Sequence, residues 1–403
     1  MAGTGIRTTV LYAKYTDLFS YYDDWKDAFS RDARFDSTLL NICDGKNRKR
    51  LKETVGDCDF LVLLHSTNAD VMEPIEAYKD ILLRRKCKLL VLVGNEVNLP
   101  GSPMGRKIAF LKDIRAEFIG TQLLPEAGRW LYGECPGAKV IALPHALNPD
   151  VFAPRIPQGE RRIDVGVRSH RYLPLLGDND RNDLFSFFQT TVFDPPLRLD
   201  IETESRCNRE SWADFLNSCK ATISTEAGSH YLERDDRTVK AIREYISGKC
   251  GEEGIYVVRR GSALERLGLK MPGFLRRKVK SALKDTGIKQ EFQVEKIVGY
   301  DEIYPKFFKD RERAPVYGKA ISSRHFDAIG TKTCQIMFAG RYNDILKAGE
   351  HYIVLKRDFS NIDEVLARFR DDVFRTAMVD RAYGYVMEEH THRNRLSVIS
   401  TLP

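Results

Sequence analysis

Ser322, Ser323 and Arg324 stand just ahead of the apolar residues Phe326, Ala328 and Ile329. A serine before an amphipathic run marks a helix start. The first turn of a helix leaves amide N–H groups unpaired and carries partial positive charge, and a neighbouring guanidinium adds a fork of donors. Such a tip suits a phosphate or diphosphate, with His325 and Phe326 in the same turn. Asp327 lies one turn in. Either it accepts hydrogen bonds from ribose or sugar hydroxyls, or it is an ordinary helix carboxylate serving the macrodipole.

Arg168 and Arg171, in RIDVGVRSHRY, follow a short apolar run. Two arginines at the end of a strand either grip phosphate or form a solvated surface pair. Glu226 follows KATIST and precedes Gly228. It is a base for an acceptor hydroxyl, a hydrogen-bond partner of a donor sugar, or a plain turn carboxylate. His65 (LVLLHS) and His145 (ALPHA) also end apolar runs, where each either contacts an acceptor or the transferred sugar, or is a satisfied structural group. No DxD stands in a strand-end context, so no essential metal and no cofactor is expected. The eight cysteines show no CxxC and no histidine at ligand spacing, which reads as buried, reduced thiols.

Positioning these groups calls for two successive alternations of strand and helix. In the first, apolar runs fall at 8–13, 38–43, 59–65, 88–94, 117–121 and 139–144, separated by helical spacing. In the second they fall at 162–167, 197–202, 220–225, 333–338 and 351–356. Continuous apolar strands between amphipathic helices predict parallel sheets covered on both faces. No GxGxxG follows the first strand, which argues against a dehydrogenase. The expected architecture is α/β, with a Rossmann-like acceptor-side domain over 1–150 and a Rossmann-like donor-binding domain over 156–372. The Pro- and Asn-rich stretch 144–155 links them, and an α-rich basic insertion occupies about 230–313. A single helix over 373–398, within a C-terminal segment 373–403, packs back toward the first domain. Ligands of such folds bind in the cleft beyond the carboxyl ends of the strands.

The stretch 319–369 resembles the C-terminal half of the group 1 type glycosyltransferases. Their signature Ser/Pro-Arg-x-Phe-Glu-Ala-x-x-x-Gly/Thr reads here as SRHFDAIGT, followed by QIMFAG, LKAGEHYIVLKRDFSNIDEVL and EEHTHRNR. DVGVRSHRYLPLLG and KATISTEAGSHYLERDD resemble segments of a bacterial surface-polysaccharide branch of that family. The resemblance covers roughly 140–230 and 315–396. It implies a double-Rossmann (GT-B) fold and metal-independent transfer of a sugar, with retention, from a nucleotide-sugar or other phosphate-activated donor to a glycan or lipid-linked acceptor. It carries a ribose-binding role to Asp327, where the family has glutamate. The related two-glutamate motif would place its other acid eight positions earlier, with seven residues between, but Lys319 stands there, and that glutamate's role does not transfer.

The chain has 403 residues, 42% of them hydrophobic and 30% charged, with a net charge of +7. These proportions belong to a globular protein of two or three domains with polyanionic partners. No run reaches the roughly 18 apolar residues of a membrane span, and a cytoplasmic location is expected. Nine Lys or Arg between 259 and 284, against Glu265 alone, interleave with leucines, Met271 and Phe274. That pattern suits the inner face of an anionic membrane. No recognition-helix or RNA-binding aromatic pattern points to nucleic acid. The competing expectation is a catalytically idle nucleotide- or glycan-binding protein of the same fold.

Overall fold

The computed structural model describes residues 5–14, 20–204, 207–252, 255–258, 288–290 and 298–403. The first sheet contains β1 (Ile6–Tyr12), β2 (Phe35–Asn41), β3 (Phe60–Leu63), β4 (Lys88–Leu92), β5 (Phe118–Thr121) and β6 (Lys139–Ala142). All pair in parallel, in the order 2-1-3-4-5-6. The chain continues through β7 (Ile163–Arg168), β8 (Leu199–Glu202), β9 (Cys219–Ser224), β10 (Ala227–Gly228), β11 (Tyr256–Val258), β12 (Ile288–Gln290), β13 (Lys319–Ala320), β14 (Cys334–Phe338) and β15 (Ile353–Leu355). The second sheet is also parallel, in the order 15-14-9-7-8. The two Rossmann-like sheets expected from the alternating pattern are therefore present, with strand ends displaced by at most three residues.

The sequence explains this arrangement locally. All four residues of β3, FLVL, are buried, as are the last four of β4, because helices cover both faces of the sheet. Burying each such side chain contributes about 1.5–3 kcal/mol. An exposed ion pair contributes about 0–1 kcal/mol, so the sheets, not the many surface salt bridges, hold the domains.

Two glycines allow contacts that position the site. Gly228 has φ of 98°, and a Cβ there would lie 2.4 Å from the Gly318 carbonyl oxygen. Only glycine permits β10 to pair with β13 in that conformation. A Cβ on Gly330 would meet Leu147 Cδ1 at 2.4 Å and the Phe152 carbonyl oxygen at 2.5 Å. The end of the Ser323–Gly330 helix thus lies directly on the interdomain connection.

The single C-terminal helix expected over 373–398 is two, Asp372–Glu389 and His392–Ser400. The break occurs because Thr391 caps a new helix: its N–H donates to Asn394 Oδ1 at 2.9 Å. Leu396 and Ile399 then pack with Val10, Trp25 and Phe29 of the first domain, and Arg395 donates to the Pro144 carbonyl at 3.0 Å. In the insertion, the helices Arg237–Glu252 and Tyr300–Phe307 share a small core of Ile242, Ile246 and Ile303. The basic segment 259–284, expected to meet a membrane, lies outside the described residues. Among the described residues no helix is long and apolar enough to cross a membrane.

Candidate functional site

A cavity of about 400 Å³ opens between the domains and is lined from both sides. The second domain contributes Arg168 at the end of β7, Arg171 and Tyr172 just beyond it, and Arg181 from the Asp180–Thr190 helix. It also contributes Ser322, Ser323 and Arg324 at the tip of the Ser323–Gly330 helix. The first domain adds Asp70, Asn95, Glu96, Gln122 and His145 from loops that follow β3, β4, β5 and β6. The carboxyl ends of parallel strands thus surround the space, as the fold requires.

The second-domain wall is strongly cationic, but its charges are not equivalent. Arg168 is held bidentately by Asp200, at 2.8 and 2.7 Å, and stacks on Phe215. Its charge is largely compensated. Arg171 donates only to neutral acceptors, the Asn182 carbonyl at 3.1 Å, Ser186 Oγ at 3.0 Å and Gln189 Oε1 at 2.7 Å. Arg181 lies over the Tyr172 ring, 3.9 Å from its centroid, and donates to the Tyr172 hydroxyl at 3.0 Å. Neither Arg171 nor Arg181 has a carboxylate partner among the described residues. Arg324 donates to Ser169 Oγ. At the helix tip, the Ser322 N–H donates to His325 Nδ1 at 2.9 Å. Two guanidinium groups without a carboxylate partner among the described residues, lining the same cavity as a helix N-terminus, have the chemistry to receive a dianionic group.

Several expected site residues are not brought to the cavity. His325 and Phe326 have no exposed surface. Burial depresses the His325 imidazole to about 3, so it is a neutral capping acceptor with no route to a ligand. Asp327 is 2% exposed, and its Oδ2 accepts from Trp212 Nε1 at 3.0 Å. Burial, then the proximity of Asp24, holds its carboxyl well above the usual range. The helix face that would have offered Asp327 to a ribose is packed against Trp212, which itself lines the cavity. Glu226 is also enclosed: Oε1 accepts from the Tyr342 N–H at 2.7 Å and Oε2 from the Tyr317 hydroxyl. It fixes those two residues and does not line the cavity. Lys319 is 1% exposed and ion-pairs with Asp178 at 2.6 Å and Asp180 at 2.9 Å. His65 packs 4.9 Å from His145, centroid to centroid, behind the cavity.

The first-domain wall is acidic and amide-rich. Glu96 accepts from Thr121 Oγ1 and the Tyr132 hydroxyl, both at 2.6 Å, and from the Gln122 N–H at 2.7 Å; burial raises its carboxyl. Beneath it, buried Lys107 donates to the carbonyls of Gly94 at 2.5 Å and Asn95 at 2.6 Å. Burial lowers the Lys107 amine to about 7, and the Asn95 whose carbonyl it contacts is left-handed, φ 46°, a conformation often found where a loop serves a ligand. His145 Nδ1 accepts from Trp25 Nε1 at 3.2 Å. Burial, with His392 and Arg395 nearby, depresses this imidazole to about 3. With Nδ1 acting as acceptor, the neutral ring carries its proton on Nε2. That form gives a hydroxyl a hydrogen bond and is a poor base.

The walls are tied across the boundary. Arg209 of the second domain reaches Asp24 at 3.1 Å and Asp27 at 2.7 Å, and Asn343 donates to the Gln122 carbonyl at 2.8 Å. Burial pushes the Asp24 carboxyl up to about 7, against about 3.9 for an unfolded aspartate. Between those values the folded chain keeps a proton that the unfolded chain has released. Asp24 therefore lowers stability progressively as pH rises from about 4 to about 7. We expect Asp24→Asn to match the parent in urea unfolding near pH 4 and to gain on it steadily up to pH 7. A difference that stays constant across that range contradicts the assignment.

Sequence reasoning missed Arg181, Tyr172 and Trp212, and the first-domain residues Asp70, Asn95, Glu96 and Gln122. Asn95, Glu96 and Gln122 carried a usable signal, because each follows an apolar run expected to be a parallel strand. Arg181 carried none beyond a helix start; its place depends on how the loop from β7 folds back.

The sequence matches no family model and no curated protein. The fold is similar to that of a solved structure described as an alpha-glucosyltransferase in complex with UDP-glucose and DNA containing an abasic site. That match has a TM-score of 0.50 and 13% identity, and covers 99% of this chain and 100% of that one. A weaker similarity, TM-score 0.48 and 10% identity over 98% of this chain and 100% of the other, is to Anabaena Alr3699/HepE in complex with UDP and glucose. With its two parallel sheets and the cavity between them, the chain has the two-domain Rossmann-like architecture of GT-B proteins.

Proposed function

We propose that this protein is a glycosyltransferase that moves a sugar from a nucleotide-sugar donor to an acceptor hydroxyl in the interdomain cavity. The observation that carries the reading is the convergence on one cavity of the Ser322–Arg324 helix tip with Arg171 and Arg181, neither of them paired with a carboxylate among the described residues. A donor diphosphate brings two negative charges, and more charge grows on its leaving oxygen as the glycosidic bond breaks. Fixed amides and guanidinium groups stabilise that charge without rearranging, so turnover is expected to survive a chelator. Arg168, already paired with Asp200, orients the end of β7 and adds less. The amides and carboxylates of the first-domain wall suit sugar hydroxyls, and His145 supplies a hydrogen bond from Nε2. An acidic wall is a poor seat for a phosphodiester backbone, so the acceptor in this reading is a glycan or lipid-linked saccharide and not nucleic acid. The solved alpha-glucosyltransferase in complex with DNA makes DNA the control acceptor.

A second reading, a binding protein of the same fold, draws on the enclosure of Glu226 and Asp327. A thermal-shift panel of nucleoside diphosphates and nucleotide sugars, followed by donor hydrolysis, separates the outcomes. A ligand at 100 times its Kd stabilises the folded state by about 2.7 kcal/mol. We expect one nucleoside diphosphate to raise Tm and its sugar conjugate to be slowly hydrolysed. A shift without hydrolysis supports the binding protein, and no shift with any member of the panel overturns both.

A further inference from the structure

Away from the cavity, Cys58 and Cys87 meet just before the amino ends of the central strands β3 and β4, whereas the cavity lies at the carboxyl ends of the sheet. Their sulfur atoms are 2.9 Å apart, closer than two unbonded sulfurs ordinarily rest. A disulfide needs about 2.05 Å, so closure takes a displacement of about 0.9 Å between residues already fixed by neighbouring paired strands. The two thiols differ in access. Cys58 is partly exposed, whereas Cys87 is buried, with its sulfur 3.7 Å from the Val55 carbonyl oxygen.

We propose that Cys58 and Cys87 are a redox pair that forms a reversible intramolecular disulfide when it meets a low-molecular-weight disulfide oxidant such as oxidised glutathione. The Cys58 thiolate attacks one sulfur of the oxidant; a mixed disulfide forms on Sγ of Cys58 and one small thiolate leaves, taking a proton from water. Cys87 loses its proton to solvent and attacks Sγ of Cys58, and the second small thiolate leaves. The protein gives up two protons and two electrons, and the oxidant becomes two thiols. The asymmetry suits this order. The hydrogen bond shared with Cys87 lowers the Cys58 thiol, while that contact and burial raise Cys87, so the accessible sulfur is the better nucleophile. The product staples two strands across a loop of about thirty residues, which the chain-entropy model expects to stabilise the first domain.

The test treats the full chain with oxidised glutathione, then applies alkylation and non-reducing peptide mapping. We expect a single peptide pair linking Cys58 to Cys87 with the loss of two hydrogens, reversed by dithiothreitol, and a Tm roughly 5–10 °C above the reduced protein. Cys87→Ser is expected to halt the sequence at a stable glutathione adduct on Cys58. The proposal falls if both cysteines remain alkylatable after oxidation. It also falls if the parent accumulates the Cys58 adduct without closure, or if Cys87→Ser gives no adduct at Cys58. None of these results depends on donor turnover, so the pair stands or falls apart from the transferase reading.

Discussion

Replacing Arg181 with glutamine is expected to lower kcat/KM for the activated donor by roughly 10²–10³, the loss typical when one fixed donor to developing negative charge is removed. The fold should be little changed. Arg181 contacts Tyr172 through its ring and hydroxyl, and removing the guanidinium strands no buried carboxylate. Arg181→Lys keeps the charge but loses the planar fork and the stacking, so an intermediate loss is expected. Arg168→Gln is the informative contrast. Its guanidinium is engaged by Asp200, whose side chain is 42% exposed, and solvent can take over that carboxylate. Its effect on donor use should therefore be the smaller of the two. Steady-state kinetics with inhibition by the free nucleoside diphosphate measure this directly. If Arg181→Gln leaves both the donor KM and the inhibition constant unchanged, Arg181 does not meet the phosphates.

The largest effect on stability is expected at Lys319. Its ammonium, 1% exposed, lies between Asp178 and Asp180, and the Asp178 side chain is only 4% exposed. Lys319→Met removes the cation and leaves the buried Asp178 carboxylate without its counter-charge, while Asp180 keeps Arg357 at 3.1 Å; stranding one buried carboxylate costs about 3–5 kcal/mol. Lys319→Glu restores the acid of the related two-glutamate motif, yet it should be the more damaging change, since a third carboxylate enters the same cluster. Adding Asp178→Asn and Asp180→Asn to Lys319→Met should recover much of the loss, because neutral amides tolerate the missing ammonium. Urea unfolding of the three variants checks this order. A Lys319→Glu protein as stable as the parent would contradict the charge arrangement.

The same position shows where the sequence became hard to read. Lys319 stood out as a departure from a motif, but its partners lie some 140 residues away in the polar turn Asp178-Asn179-Asp180. No local pattern encodes such a pairing. The sheets were legible because burial on both faces imposes continuous apolar runs, and FLVL and KLLVL could hardly be anything else. The helix tip was legible because capping is a short-range effect, carried by Ser322 and the residues just after it. Side-chain direction was not. Asp327 and Glu226 carried the right chemistry, and both are turned inward, onto Trp212 and onto Tyr317 and Tyr342. Helical and strand spacing states which residues share a face, and the neighbouring domain decides whether that face is open. Arg181 gives the converse case, an unremarkable residue in sequence that the folded loop carries into the cavity.

The most direct test is a crystal structure of the protein with a nucleoside diphosphate bound. The diphosphate is predicted to lie at the amino end of the Ser323–Gly330 helix, accepting from backbone amides of that turn and from Arg171 and Arg181. A diphosphate bound elsewhere, with those two guanidinium groups still facing only their present neutral partners, would contradict the proposed donor site.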